Sequence, residues 1–448
     1  MQRDLTRGPV TGTMLWFALP MILGNLLQQC YNIADTLIVG RFLGTDALGA
    51  VGSAYTLMTF LTSILLGLAM GSGAVFSIRW GQRDMEGLKE RIFTSFVLIA
   101  LLALVLNGAV FAGLDGILKL LQVPAENYIL MRDYLWVIFW GILATFLYNY
   151  FACLLRSVGN STAPLVFLGV AAVVNIVLDL VFVVVLDWGV KGAAGATVIA
   201  QYLSGVGLLV YTLRAFPQLR PEPTHCRLRW STVREISQFS LLTCVQQSVM
   251  NFGILMVQGR VNSFGPAVMA AFAAAVKIDS FAYMPVQDFG NAFSTFIAQN
   301  YGAGKTERIR TGIRSAVGTA VLFCLMVSAA VCLFARPLMG LFVERGEAEI
   351  ISIGVGYLRI EGAFYLGIGC LFLLYGLYRA VAMPAMSVVL TIVSLGTRVL
   401  LAYTLSAIPA IGVVGIWWSV PIGWFLADAV GFGYYALCRK KIEARLTA

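Results

Sequence analysis

The sequence predicts an all-α polytopic membrane protein: twelve transmembrane helices in two six-helix lobes, related by a pseudo-two-fold axis along the membrane normal. Three observations carry this expectation. Of 448 residues, 59% are hydrophobic and only 12% charged, about half the ~25% charge of soluble globular proteins. Long charge-free windows recur along the chain. The second half of the chain echoes the first at a spacing of about 220 residues, the unit being a hydrophobic repeat.

Composition excludes several classes. So little charge cannot cover the surface of a soluble enzyme, and a disordered chain needs the opposite bias. A transmembrane β-barrel would alternate polar and apolar residues along each strand. Helices remain, because lipid requires backbone polar groups to be satisfied within the segment. The net charge of +9 comes from basic residues at helix ends, so topology explains it and no nucleic-acid partner is expected. The eight cysteines fall mostly inside apolar runs with no CxxC pair, and the single histidine, His225, lies in a polar loop. One histidine cannot build a zinc site, so no metal centre and no cofactor are expected. The first apolar run is too long for a signal peptide's h-region.

The spans follow from the windows. Residues 8–34, 47–78, 92–114, 134–155, 157–178, 192–213, 236–259, 315–335 and 399–427 hold no Asp, Glu, Lys or Arg. The stretch 261–304 holds only Lys277, Asp279 and Asp288, and 362–397 only Arg379. Splitting at turn signals places helix starts near residues 12, 47, 91, 128, 161, 190, 235, 267, 311, 350, 384 and 412. At ~20 apolar residues per span, no room is left for a separate soluble domain. With an even count, both termini share a side, and 21 of the 31 Lys and Arg fall on it against 7 opposite. The positive-inside rule then puts both termini in the cytoplasm, in the plasma (inner) membrane. Trp16, Trp80, Trp136, Trp188, Trp230 and Trp418 sit near helix ends, as interfacial belts require.

The repeat is read residue by residue. Gln28-Gln29 and Gly40-Arg41 answer to Gln246-Gln247 and Gly259-Arg260; Gly44 answers to Gly265. Leu155-Arg156 answers to Tyr378-Arg379, and Gly189-Val190-Lys191-Gly192 to Gly412-Val413-Val414-Gly415. An even number of helices per repeat gives both lobes one orientation. The expected lobes are 1–214 and 235–448, joined by a cytoplasmic linker, 215–234. Two like-oriented bundles around a central cleft form a transporter architecture, expected here as a monomer in the lipid bilayer.

Ionisable side chains at membrane depth cost ~2.5–3.5 kcal/mol each on insertion scales and so call for a function. Gln28, Asn32 and Asp35 share one face of the first helix at i, i+4, i+7. Asn175 and Asp179 share a face of the fifth, Thr197 and Gln201 a face of the sixth, and the fourth offers Tyr134 and Asn149. By offset, Asp35 pairs with Gly253 or Ile254, Asn175 with Arg398, Asp179 with Ala402, Asn149 with Phe372 and Thr197 with Val420. The constellation is absent from the second half, which favours function over scaffold hydrogen bonding. Two carboxylates in a low-dielectric pocket cannot both stay ionised cheaply, and they titrate as a unit. They suit a proton, or Na⁺ with Asn and Thr oxygens. Either removes negative charge, as a coupling site needs in order to bias one conformation. Pro20 is a hinge candidate in the first helix.

In the second half, Lys277 and Asp288 are eleven residues apart and share a face, while Asp279 points elsewhere. With Glu361, Arg398 and Asp428 both signs are present, so mutual salt bridging is expected. Gln247, Asn251 and Gln258 line roughly one face of the seventh helix. The cavity candidates are therefore Gln28, Asn32, Gln201, Gln247, Asn251, Lys277, Asp288 and Arg398. Gly67/Gly71 and Gly192/Ala196 read as close helix packing.

Four stretches carry a family resemblance: residues 20–52 (PMILGNLLQQCYNIADTLIVGRFLGTDALGAVG), LLRSVGNSTAP at 154–164, NIVLDLVF at 175–182 and AQNYGAGK at 298–305. With them the chain resembles the multidrug and toxic compound extrusion (MATE) transporters over its whole length. The resemblance implies two six-helix lobes, a central cavity, and export of amphipathic, cationic small molecules or drugs in exchange for H⁺ or Na⁺. In one branch the cation site lies in the N-terminal lobe, at positions matched here by Asp35, Asn175, Asp179, Thr197, Tyr134 and Asn149. Another branch uses a helix 7 Glu and a helix 10 Asp; here helix 7 has Gln246 and Gln247, and helix 10 has Glu361. Many relatives carry Pro straight after the helix 5 Asp, where this chain has Leu180. The competing reading is a flippase for a lipid-linked precursor of the same wider superfamily, which should line its cavity with more basic residues than Lys277 and Arg398.

Overall fold

The computed structural model describes residues 3–120, 125–344 and 346–447. Arg345 and the side chains of Arg439, Lys440, Lys441 and Arg445, counted above toward the topology, lie outside the described residues. The described chain is helical from end to end, with no strand among its residues. Helices run α1 Val10–Phe42, α2 Gly44–Gln82, α3 Met85–Ala112, α4 Leu114–Leu120, α5 Ala125–Ile138, α6 Gly141–Ser157, α7 Thr162–Asp179 and α8 Gly189–Ala215. They continue as α9 Trp230–Asn262, α10 Pro266–Gly302, α11 Thr306–Met339, α12 Ala348–Gly362, α13 Tyr365–Ala380, α14 Pro384–Leu405 and α15 Val414–Thr447. Ten are long and apolar enough to cross a membrane. Two further spans are each made of a bent pair, α5 with α6 at 46° and α12 with α13 at 51°. That gives the twelve spans expected, and both bends fall at matching places in the two halves.

The duplication is written most plainly in the turns. Among the described residues, ten have positive φ, and eight of them form four repeat pairs: Gly44 with Gly265, Arg83 with Gly304, Gly159 with Ala382, and Gly189 with Gly412. The backbone hydrogen bonds repeat too. Asn160 N donates to Leu155 O at 2.8 Å, and Met383 N to Tyr378 O at 2.8 Å. In the first copy Asn160 Oδ1 also accepts from Ala163 N at 3.0 Å and so caps α7. The SVGNS run is thus a helix stop and a helix start.

The chain divides into two compact units. One is residues 1–4 with 19–244; the other is residues 5–18 with 245–448. These differ from the expected lobes in two places. The first turns of α1 belong to the second unit, and the linker and the first half of α9 belong to the first. Small residues explain part of this. A Cβ at Gly67 would lie 2.6 Å from Cys244 Cα, and one at Gly71 would strike Phe239 O, so α2 and α9 touch backbone to backbone. Ser72 and Ser240 share a hydrogen bond of 2.8 Å beside that contact. Charges hold the linker to the same unit: Glu235 accepts from Arg79 at 3.1 Å and Arg91 at 2.7 Å, and Lys89 meets Glu222 at 2.6 Å. His225 is buried against Glu86, which fits a structural histidine and not a metal ligand.

In the second unit, the opening segment is fixed through its carbonyls. Asn300 Nδ2 donates to Leu5 O at 3.1 Å, Lys305 Nζ to Thr6 O at 2.7 Å and Arg308 Nη1 to Gly8 O at 2.6 Å. The AQNYGAGK stretch therefore binds a peptide segment of its own chain. Its glycine at 304 supplies the left-handed turn that ends α10.

Two outcomes test these turns and contacts. Gly71→Ala forces α2 off α9 and should cost about 1–3 kcal/mol of stability, read as a lower melting temperature of the purified protein. Ala382→Gly should do the opposite, adding about 0.5–1 kcal/mol, because glycine relieves a left-handed backbone that costs an L-residue more than glycine loses in entropy.

A candidate cation site in the first unit

The site is built by α1, α5, α7 and α8. Helices α1 and α7 run side by side in one direction: Gly24 faces Leu165 and Leu168 at 3.8 Å, and Leu27 faces Gly169 at 3.5 Å. Eleven residues, three turns, further along both helices stand Asp35 and Asp179. The small residues at 24 and 169 let the helices approach, and equal spacing then brings the carboxyls together. The two carboxyls are neighbours close enough to act on each other electrostatically. Asp179 is wholly buried and Asn175, one turn before it, is 1% exposed. Asn175 Nδ2 donates to Thr197 Oγ1 at 3.4 Å, which joins α7 to α8. Thr197 donates in turn to Ala193 O at 3.1 Å.

What remains unsatisfied is all of one kind. Asp35 Oδ1, Asn175 Oδ1, both carboxyl oxygens of Asp179 and Gln201 Oε1 are buried with no hydrogen-bond partner. Gln201 lies one turn along α8 from Thr197, and Gly141 makes room for it, since a Cβ there would strike Gln201 Oε1. Buried acceptors left unpaired are costly. A cluster of oxygens with no cationic side chain is the donor set for a proton or a hard cation.

Directly after Asp179 the helix changes character. Leu180–Val185 form a π-helix, closed by Leu186 N donating to Val181 O at 2.9 Å and Trp188 N to Phe182 O at 2.9 Å. Leu180 thus opens a π-turn, an element frequent at functional sites. Gly192 of α8 accommodates it, with Phe182 3.1 Å from where its Cβ would stand.

The other expected residues divide. Tyr134 is buried and lies near Asp35 and Asp179. Asn149 instead donates to Thr145 O of its own helix at 2.8 Å. Asn32 donates to Gln29 Oε1 at 3.4 Å, within α1. Gln28 sits beside Tyr31. Tyr31 is the residue that sequence reasoning missed: it stands between Gln28 and Asp35 and close to Asp35, Tyr134 and Tyr148. Its i, i+4 spacing to Asp35 was the available signal. Helix α1 passes through Pro20 as one helix, and the division between units falls just before it, between Ala18 and Leu19.

The second unit arranges its charges differently. Asp279 and Glu361 are adjacent, with Tyr357, Tyr365 and Arg398 around them. Arg398 nevertheless makes no direct ion pair among the described residues, and its Nε is buried without a partner. Lys277 is exposed while Asp288 is buried, so the salt bridge suggested by their spacing does not form. Pro285 lies between them inside α10 and interrupts its hydrogen-bond ladder. Asn251 bonds Gln247 O within α9 at 3.1 Å.

Twelve apolar spans, an internal duplication and buried oxygen donors at membrane depth define a multi-pass membrane transporter, not an enzyme. The MatE family model matches residues 20–181 and 240–404, and the chain belongs to that family, the MATE transporters. It is 30% identical to the "Probable multidrug resistance protein YpnP" of Bacillus subtilis over 98% of this chain and 97% of that one. It is 25% identical to the "FAD transporter" of Shewanella oneidensis, over 99% and 97%. Among solved structures, a MOP superfamily transporter from Pyrococcus furiosus has the same fold, with a TM-score of 0.91 over 98% of both chains at 24% identity.

The carboxyl pair makes a measurable demand on stability. Asp179→Asn removes the mutual repulsion of two ionised carboxylates. The melting temperature of this variant should therefore exceed that of the wild type by a growing margin as pH rises from 6 to 9. A margin that shrinks over that range would contradict the adjacency of the two acids.

Proposed function

We propose that the protein is a secondary active antiporter that exports amphipathic small molecules in exchange for H⁺ or Na⁺ by alternating access. One observation carries this reading: the orphaned oxygens of Asp35, Asn175 and Asp179, brought together beside Thr197 with no cationic side chain among them. The names of relatives support it, since YpnP and MepA of Staphylococcus aureus are called multidrug resistance and multidrug export proteins. The bias of basic residues toward one side supports a plasma-membrane orientation with both termini in the cytoplasm.

The chemistry follows from charge. With both carboxyls ionised, Asp35 and Asp179 repel each other in a medium that screens poorly. A proton on one of them, or Na⁺ held by Asp35, Asp179, Asn175 and Thr197, cancels a charge and fills the orphaned acceptors. A cation that binds one arrangement of these helices better than another shifts the population toward it. Release of the cation shifts it back, and coupling requires only that drug and ion favour different arrangements. The π-turn directly after Asp179 is the irregularity next to the moving charge, while Pro20 lies about 22 Å along α1 from Asp35. The flippase reading has no comparable support: the second unit offers no basic cluster beyond Lys277 and Arg398 at depth.

The test is efflux from proteoliposomes under a pH gradient alone and a Na⁺ gradient alone. The wild type should respond to at least one of the two. Asp35→Asn should abolish the response while its melting temperature stays within a few degrees of wild type. Undiminished gradient-driven efflux in that variant would overturn the assignment.

A further inference from the structure

Away from their ends, the membrane-spanning helices of the second unit carry charges of both signs. The acids there, Asp279, Asp288, Glu361 and Asp428, are buried, as is Arg379. Lys277 is exposed. Lys277 has no ion pair among the described residues.

Lys277 heads a face of α10. Residues Lys277, Ser280, Met284, Gln287, Asn291 and Thr295 follow at steps of three and four, which is one side of a helix. All six are exposed or half-exposed, and five are polar. The opposite side is packed: Phe272 stacks on Trp417 at 5.5 Å and meets Tyr357 at 5.4 Å, and Asp279 lies next to Tyr357, Tyr365 and Glu361. A lysine facing lipid costs ~2.5–3.5 kcal/mol, and a whole polar stripe would add to that. Its exposed end at Lys277 therefore faces water and not lipid. At its far end Asn291 Oδ1 accepts from Arg379 Nη2 at 3.1 Å, so no acid intrudes there either. Above Lys277, Met269, Ala270 and Ala273 are exposed and apolar. A methionine at 284 adds an adaptable apolar contact within the stripe.

We propose that this face of α10 receives the acidic group of an amphipathic organic anion, a carboxylate, sulfonate or phosphate held at Lys277, with its apolar body lying against the methionines and alanines beside it. The proposal rests on the transporter reading and deepens it: substrates carry an acid, in place of the cationic molecules that the family resemblance implies. An exposed ammonium attracts an anion and repels a cation, and the face itself holds no acid, since Asp279 and Asp288 of the same helix are buried. Gln287 offers an amide donor ten residues along the same face.

Two dyes that share a xanthene body but differ in charge test it: carboxyfluorescein, an anion, and rhodamine 6G, a cation. Binding is read by fluorescence anisotropy on the purified full-length protein in detergent, with no gradient present. Carboxyfluorescein should bind the wild type more tightly than rhodamine 6G. Lys277→Met should weaken carboxyfluorescein about tenfold, ~1.4 kcal/mol, and should leave rhodamine 6G unchanged or tighter. Lys277→Arg should restore anion binding. Added salt should weaken the wild type more than Lys277→Met. Tighter rhodamine 6G binding, binding of neither dye, or carboxyfluorescein binding indifferent to Lys277→Met in a protein of unchanged melting temperature would each overturn the proposal. Because no gradient is applied, loss of ion-driven efflux alongside intact Lys277-dependent binding would tell against the antiport reading alone.

Discussion

Everything in this molecule answers to the cost of a polar group that lacks a partner at membrane depth. Backbone groups meet that demand by staying helical, which is why the described residues contain no strand and why only two of their spans are bent by more than 40°. Side chains meet it in three ways. Serines and threonines return their hydroxyls to the carbonyl one turn back, as Thr243, Thr391 and Ser77 do. Charged residues collect at helix ends, where Glu235 bridges Arg79 and Arg91. The few that remain at depth are grouped, and those groups are where function is to be sought.

The two units meet the same constraint with different side chains. In the first, acids stand beside amide and hydroxyl oxygens with no base among them, and several of these acceptors lack a partner. In the second, Asp279 and Glu361 are buried with phenols and an arginine, and Lys277 is exposed. A duplicated scaffold thus carries two unlike chemistries. The backbone has kept its symmetry down to the sign of φ at four pairs of turns, while the side chains have diverged.

The sequence made the helices legible because lipid rewards unbroken apolar runs, and each expected start falls within six residues of an observed one. It also made the acid pair legible, because Asp35 and Asp179 have no counterpart half a chain away. Other features could not be read that way. Tyr31 joins the site through a neighbour relation across helices, and a tyrosine in an apolar run carries no mark of it. Asn149 and Asn32 share helical faces with the site yet bond within their own helices, since periodicity gives direction and not reach. The division of α1 and α9 between units depends on backbone contacts at Gly67 and Gly71, which spacing suggests but does not assign to a partner.

The π-turn at Leu180–Val185 holds a consequence for how this chain can change. A π-turn is in effect an α-helix with one residue too many, so its geometry is stored as chain length and not as residue type. Loss of a single residue there would let the helix close into the ordinary form. Everything after it would then rotate by about 100° relative to Asp179. A proline alters a helix by substitution and can be reverted by substitution; this irregularity lies in the number of residues. A lineage that carries it is committed to its register, since no point mutation undoes it.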